Sequence, residues 1–232
     1  MKKFSLTAII ALLLSAFSAQ AQDSLIPVKK AKANKQGFYD KEISRLLIPT
    51  DTEFGMLCIP SFSVESSLTY DPKTHALVYI EADSSIWSRT FNAINHEENY
   101  VWRSNVLTQY RAPGTHMYIQ PIPDEMAKDM KKLWKAAIKA AKTPKPEKKK
   151  VVTEDGKKLT ITIEEITLDG TGWEYFCNGK RAKIQGNDKG GKGKVGDLIN
   201  LTIELREAVR NHDAQKLESL HTKVKELRQM FK

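Results

Sequence analysis

Residues 173–184 read Trp-Glu-Tyr-Phe-Cys-Asn-Gly-Lys-Arg-Ala-Lys-Ile, two alternating runs joined by Asn178-Gly179. Both turn residues tolerate positive φ, so they suit a two-residue type I′ turn whose twist matches antiparallel strands. The turn fixes the register. Cys177 faces Lys180, Phe176 faces Arg181, Tyr175 faces Ala182, Glu174 faces Lys183 and Trp173 faces Ile184. Alternation puts Trp173, Tyr175, Cys177, Ala182 and Ile184 on one apolar face. The other face carries a Glu174/Lys183 charge pair and a Phe176/Arg181 cation–π pair.

Flanking segments extend this hairpin. Asp155-Gly156 reads as a second two-residue turn, pairing Glu154 with Lys157 and Val152 with Leu159, so Val151 to Ile184 is expected as a four-strand meander. After it, Leu198, Leu201, Leu205, Ala208 and Val209 share one helical face with Asp197 as cap, and Asn211-His212-Asp213 turns the chain. Leu217, Leu220, Val224, Leu227 and Phe231 repeat at three and four. Two such helices form an αα-hairpin, which most simply covers the apolar face of the meander, since a narrow sheet is marginal uncovered.

Upstream, Gly55 to Pro60, Ser63 to Tyr70, His75 to Ala82, Tyr100 to Tyr110 and His116 to Gln120 are short runs rich in β-branched and aromatic residues. Asp71-Pro72-Lys73-Thr74 is a turn in which Asp71 can accept from the backbone. Asp83 to Asn99 is the longest gap and is expected as a polar loop. Pro121-Ile122-Pro123-Asp124-Glu125 should start a helix, with Pro at the first helical position, that runs to about Lys142 with Met126, Met130, Leu133, Trp134, Ala137, Ile138 and Ala141 inward. Lys128, Lys132, Lys135, Lys139 and Lys142 fall on its outer face. Asp40 to Leu47 reads as a short helix within an otherwise extended lead-in.

The fold class is therefore α+β: antiparallel strands, a basic amphipathic helix, and a C-terminal αα-hairpin packed on a β-meander. The segments are 1–21 (signal peptide), 22–50 (extended lead-in), 51–142 (β-rich region ending in the basic helix), 143–150 (Pro/Lys linker) and 151–232 (meander plus helical hairpin). They are expected as two small domains or as one sheet system with a basic excursion.

The first residues give an address. Lys2 and Lys3 precede an apolar run from Leu6 to Phe17, and Ala19-Gln20-Ala21 forms an A-x-A cleavage pattern, which together read as a signal peptide. The run is too short to span a bilayer, for which about 20 apolar residues are needed. The chain is thus expected in a periplasmic or extracellular space, where a polyanion is an envelope lipid or glycan rather than nucleic acid. The net charge is +9 for the full chain. An oxidising compartment and an even count favour a Cys58–Cys177 disulfide, with two buried thiols as the alternative.

Catalytic and cofactor motifs are weak. Gly186 to Gly193 nearly spells a phosphate-binding loop, but Gly193 stands where the Mg²⁺-holding Ser or Thr is needed. The histidines lack metal spacing; His96, Glu97 and a distant His116 make the nearest approach to a ligand set. There is no G-x-S-x-G, and Cys58 has apolar neighbours. No catalytic, cofactor or metal residues are assigned. The departure from an ordinary surface is the lysine tract: from Lys128 to Lys150 there are ten Lys against Asp129 and Glu147. Like charges repel where Glu/Lys pairs would have stabilised. The expectation is an exported, non-catalytic binding or interaction protein of the cell envelope, meeting anionic lipid or glycan through Lys128, Lys132, Lys135, Lys139 and Lys142. A protein partner is left open. The alternative is a secreted hydrolase with its site in the Asp83 to Asn99 loop.

Overall fold

A computed structural model describes residues 24–28, 37–61, 63–95, 110–143, 147–152, 158–163, 170–186 and 191–232, with backbone alone for 92–95, 147–152, 158–163 and 186. The strands are β1 (Ile26–Pro27), β2 (Phe54–Pro60), β3 (Ser66–Asp71), β4 (Ala76–Ala82), β5 (Thr115–Pro121), β6 (Glu147–Val152), β7 (Lys158–Ile163), β8 (Thr171–Cys177) and β9 (Lys180–Gly186). The helices are α1 (Phe38–Leu47), α2 (Ile86–Asn95), α3 (Asp124–Lys139), α4 (Lys194–Arg210) and α5 (Ala214–Met230). The fold is α+β. Seven strands form one sheet in the order β1-β9-β8-β2-β3-β4-β5, every described pair antiparallel.

The β8–β9 hairpin has the register its Asn-Gly turn dictates, from Trp173 opposite Ile184 to Cys177 opposite Lys180. Asn178 (φ 50°) and Gly179 (φ 72°) supply the two positive angles. Each face contributes to a different core. Trp173, Tyr175, Cys177, Ala182 and Ile184 join a large core with Phe54, Met56, Leu68 and Leu77 beneath α3, α4 and α5. Phe176 joins a smaller core with Leu57, Val78 and Ile80, which Ile43 and Leu47 of α1 and Ile86 of α2 cover. Helices thus lie on both faces of the sheet, while Met117 and Ile119 of β5 stay exposed.

The order of covering is set in three dimensions. The helix α3 lies chiefly over β8, β2 and β9, and α4 over β4 and β5. Each helix thus covers strands distant from it in sequence, while α5 packs on both α3 and α4. Trp134 anchors α3: it is fully buried, and its Nε1–H donates to the Gly55 carbonyl at 3.0 Å. On α4, Thr202 meets Tyr175 Oη at 3.2 Å, and the Arg206 guanidinium lies over the Tyr79 ring.

Several expectations need correction. No bond joins Cys58 and Cys177. They sit on neighbouring strands, but Cys58 is opposite Trp173 and Cys177 opposite Phe54. Four residues of strand separate them, about 14 Å at ~3.4 Å per residue, where a disulfide needs Cα atoms within about 7 Å. Residues 151–184 are not one meander: β8 pairs with β2, and β6 and β7 form a two-stranded sheet of their own. The 143–150 stretch expected as a linker contributes Glu147–Lys150 to β6, because the β-branched run Thr160–Ile163 offers them a backbone ladder. The observed pairing sets Val152 against Lys158 and Val151 against Leu159, one residue from that expected of an Asp155-Gly156 turn. The signal-peptide residues 1–21 and the strand expected from Tyr100 lie outside the described residues, apart from Tyr110.

The Asp83 to Asn99 stretch is helical over Ile86–Asn95 rather than a loop. A distant carboxylate explains it. Glu65 is fully buried. Its Oε2 accepts the Ile86 N–H at 2.7 Å, and its Oε1 accepts the Trp87 N–H at 2.8 Å and the Tyr39 hydroxyl at 3.0 Å. The first turn of α2 is thereby capped from outside its own sequence, satisfying amides that a helix start leaves open.

Candidate functional site

The five lysines expected to form one basic face are all exposed. Lys128, Lys132, Lys135 and Lys139 lie on α3. Lys142 lies beyond the helix, which ends at Lys139, and its backbone N–H donates to Leu25 O at 2.8 Å. Pro123 precedes the first turn, where Asp124 and Glu125 complement the positive end of the helix dipole.

The lysine face divides into two halves with different neighbours. In the first, Asp129 is a hub between α3 and α5: Arg228 Nη1 donates to it at 2.6 Å, His221 Nε2 lies at 3.1 Å, and Lys132 and Lys225 lie at 4.0 Å. Burial raises the Asp129 pKa, but its bond to His221 and the charges of Arg228 and Lys132 outweigh that and hold it below the usual carboxylate range. Glu125 pairs with Lys225 at 3.1 Å. Glu125, Asp129 and His221 bring ligand atoms within 4.8 Å of one another. Three cationic side chains already surround that group, so it fits an ion-pair hub between helices better than a cation site.

In the second half, Lys135 and Lys139 face the β8–β9 turn across a cleft of about 630 Å³. The cleft is lined by Pro27, Val28, Ile138, Cys177, Asn178 and Gly179 together with four cations, Lys135, Lys139, Lys180 and Arg181. Among the described residues no carboxylate lines it. Among the described residues none forms a salt bridge with Lys135, Lys139, Lys142 or Lys180. Arg181 is held in place, donating to Glu174 at 2.7 Å and lying over the Phe176 ring at 5.4 Å. Cys177 forms part of the wall, and its burial pushes the thiol pKa up, keeping the sulfur neutral.

The walls are fastened by backbone bonds. Pro27 of β1 lies opposite Ala182 of β9, the Val28 N–H donates to Arg181 O at 3.0 Å, and the Lys142 bond to Leu25 ties in the end of α3. Lys180, Arg181, Pro27 and Val28 were not singled out as site residues from the sequence. The only signal for the first two was a pair of adjacent cations after the Asn-Gly turn; nothing local says that α3 lies beside them.

The other sequence candidates go elsewhere. His116 is an exposed residue of β5 opposite Glu81, and residues 96 and 97 lie outside the described residues. The glycine-rich segment ends in chain packing: Gly193 has φ 91°, and a Cβ on Gly196 would lie 1.9 Å from the Gly191 carbonyl oxygen. Gly191 packs onto the first turn of α4, which begins at Lys194 rather than at Asp197. Among the described residues no helix is long and apolar enough to cross a membrane. Comparison with protein-family models, with curated proteins and with solved structures finds no match to this chain.

Proposed function

We propose that the protein is an exported, non-catalytic binding protein of the cell envelope that meets an anionic partner through the outer face of α3 and the neighbouring β8–β9 turn. One observation carries the reading: Lys135, Lys139, Lys180 and Arg181, from two elements far apart in sequence, converge on a cleft that no carboxylate among the described residues lines. Charges left without acids on a surface helix cost stability through mutual repulsion, and an anionic surface would relieve it by about 1 kcal/mol per lysine. Lys128 and Lys132 extend the same exposed face along α3. The signal-peptide pattern of residues 1–21 supports an envelope lipid or glycan as the polyanion.

Co-sedimentation with vesicles tests this directly. The protein is expected to bind vesicles containing an anionic phospholipid and to ignore neutral ones. Binding should fall as salt rises, because the screening length is only about 8–10 Å near physiological ionic strength. A variant with Glu at positions 128, 132, 135, 139 and 142 should lose it. Equal binding to neutral vesicles, or none to anionic vesicles at low salt, would rule out a lipid surface as the partner.

A further inference from the structure

A flat anionic surface would use the ammonium groups on the outer face but would leave the floor of the cleft untouched. Pro27, Val28, Ile138 and the neutral Cys177 thiol contribute apolar atoms to the same lining as Lys135, Lys139, Lys180 and Arg181. A volume of about 630 Å³ falls in the range of small-molecule pockets, which combine an apolar lining with a few placed polar groups. Lys135 and Lys139 are one helical turn apart and therefore project on the same side of α3. Arg181 is committed to Glu174 and Phe176, whereas the three ammonium groups have no salt-bridging carboxylate among the described residues. The backbone bonds from Val28 to Arg181 and from Lys142 to Leu25 hold the walls together without a ligand.

We infer that this cleft binds a single-chain anionic amphiphile, an alkyl phosphate, whose head group is held by Lys135, Lys139 and Lys180 and whose chain covers Pro27, Val28, Ile138 and Cys177. The inference rests on the anionic-partner reading above and narrows it to a ligand with one apolar chain. Inorganic phosphate would leave the apolar floor in water, and a neutral detergent would leave the cations unanswered, so neither matches both halves of the lining.

The test is a titration followed by backbone amide NMR shifts at Asn178, Gly179 and Ile138. Three probes are compared: dodecyl phosphate below its micelle concentration, dodecyl maltoside and inorganic phosphate. Dodecyl phosphate should give saturable shifts at these amides, at least about tenfold tighter than either of the other two. Lys139→Glu and Lys180→Glu should each weaken it by roughly tenfold while the rest of the spectrum stays in place. Lys128→Glu/Lys132→Glu should leave dodecyl phosphate binding unchanged while reducing vesicle binding. Equal affinity for dodecyl maltoside, equal affinity for inorganic phosphate, or no shifts at these amides overturns the inference without touching the vesicle result. Dodecyl phosphate binding in a protein that ignores vesicles keeps the cleft and removes the membrane surface.

Discussion

The two halves of α3 carry the same lysine spacing yet do different things. At the first half, α5 lies alongside and supplies Lys225, Arg228 and His221 to Glu125 and Asp129, so acids and cations compensate one another. At the second half the neighbours are β1 and the β8–β9 turn, which bring Lys180 and Arg181, more positive charge, to Lys135 and Lys139. A periodic stripe in the sequence is uniform; its electrostatic environment is not. The acids of the first half are part of the architecture, while Lys128 and Lys132 add to the outer basic face; the second half, where cations accumulate, is where a cleft ligand is to be sought.

The comparison breaks most severely if α3 itself is detached. Trp134→Ala removes a fully buried indole that packs against Phe54 and Tyr175 and bonds Gly55, and should cost about 3–5 kcal/mol. Chemical denaturation would register this as a lower midpoint, and both halves should lose their organisation together. A smaller change isolates the first half. Asp129→Asn leaves Arg228, Lys225 and Lys132 around a neutral group and should destabilise by about 2–4 kcal/mol, near the range for breaking a buried pair. Binding through the cleft should persist at temperatures where this variant is folded.

The same residue gives the comparison a pH signature. Because the folded-state pKa of Asp129 lies below its unfolded value, its contribution is fully present above the unfolded pKa of about 4 and is lost as pH falls through the lower folded value. Thermal melts from pH 5 downward should therefore show a steeper loss of stability for the wild type than for Asp129→Asn. Parallel slopes would mean that the hub contributes little. The smallest expected effect belongs to the second half. Lys135→Glu and Lys139→Glu should change stability by no more than about 0.5 kcal/mol, with a slight gain where a new Glu faces a lysine one turn away. A large destabilisation there would mean that these lysines are structural, and the contrast between the halves would collapse.

How much was legible follows from the range of each signal. The β8–β9 register is local, since two residues able to hold positive φ leave an antiparallel hairpin one favoured pairing, and it matches together with the Phe176/Arg181 contact, whereas Glu174 pairs diagonally with Arg181 rather than with Lys183. The inward faces of α3, α4 and α5 follow from three- and four-residue spacing and are buried as expected, from Met126 and Trp134 to Leu217 and Val224. The loop between Asp83 and Asn99 was misread because its helix start is capped by Glu65, some twenty residues upstream. Cys58 and Cys177 share a compartment and a pair of neighbouring strands, but only the antiparallel register shows that they sit four residues apart along it.

The candidate site divides along the same line. Composition and helical periodicity by themselves determined that lysines would be exposed along α3, and turn chemistry determined that Lys180 and Arg181 would follow a tight hairpin. That these two sets share one cleft was decided only when α3 settled over β8 and β9 with β1 closing the side. The physical reason is that periodicity fixes which way a side chain points from its own element, whereas the neighbour it meets depends on how apolar faces from opposite ends of the chain bury one another, and that burial is non-directional.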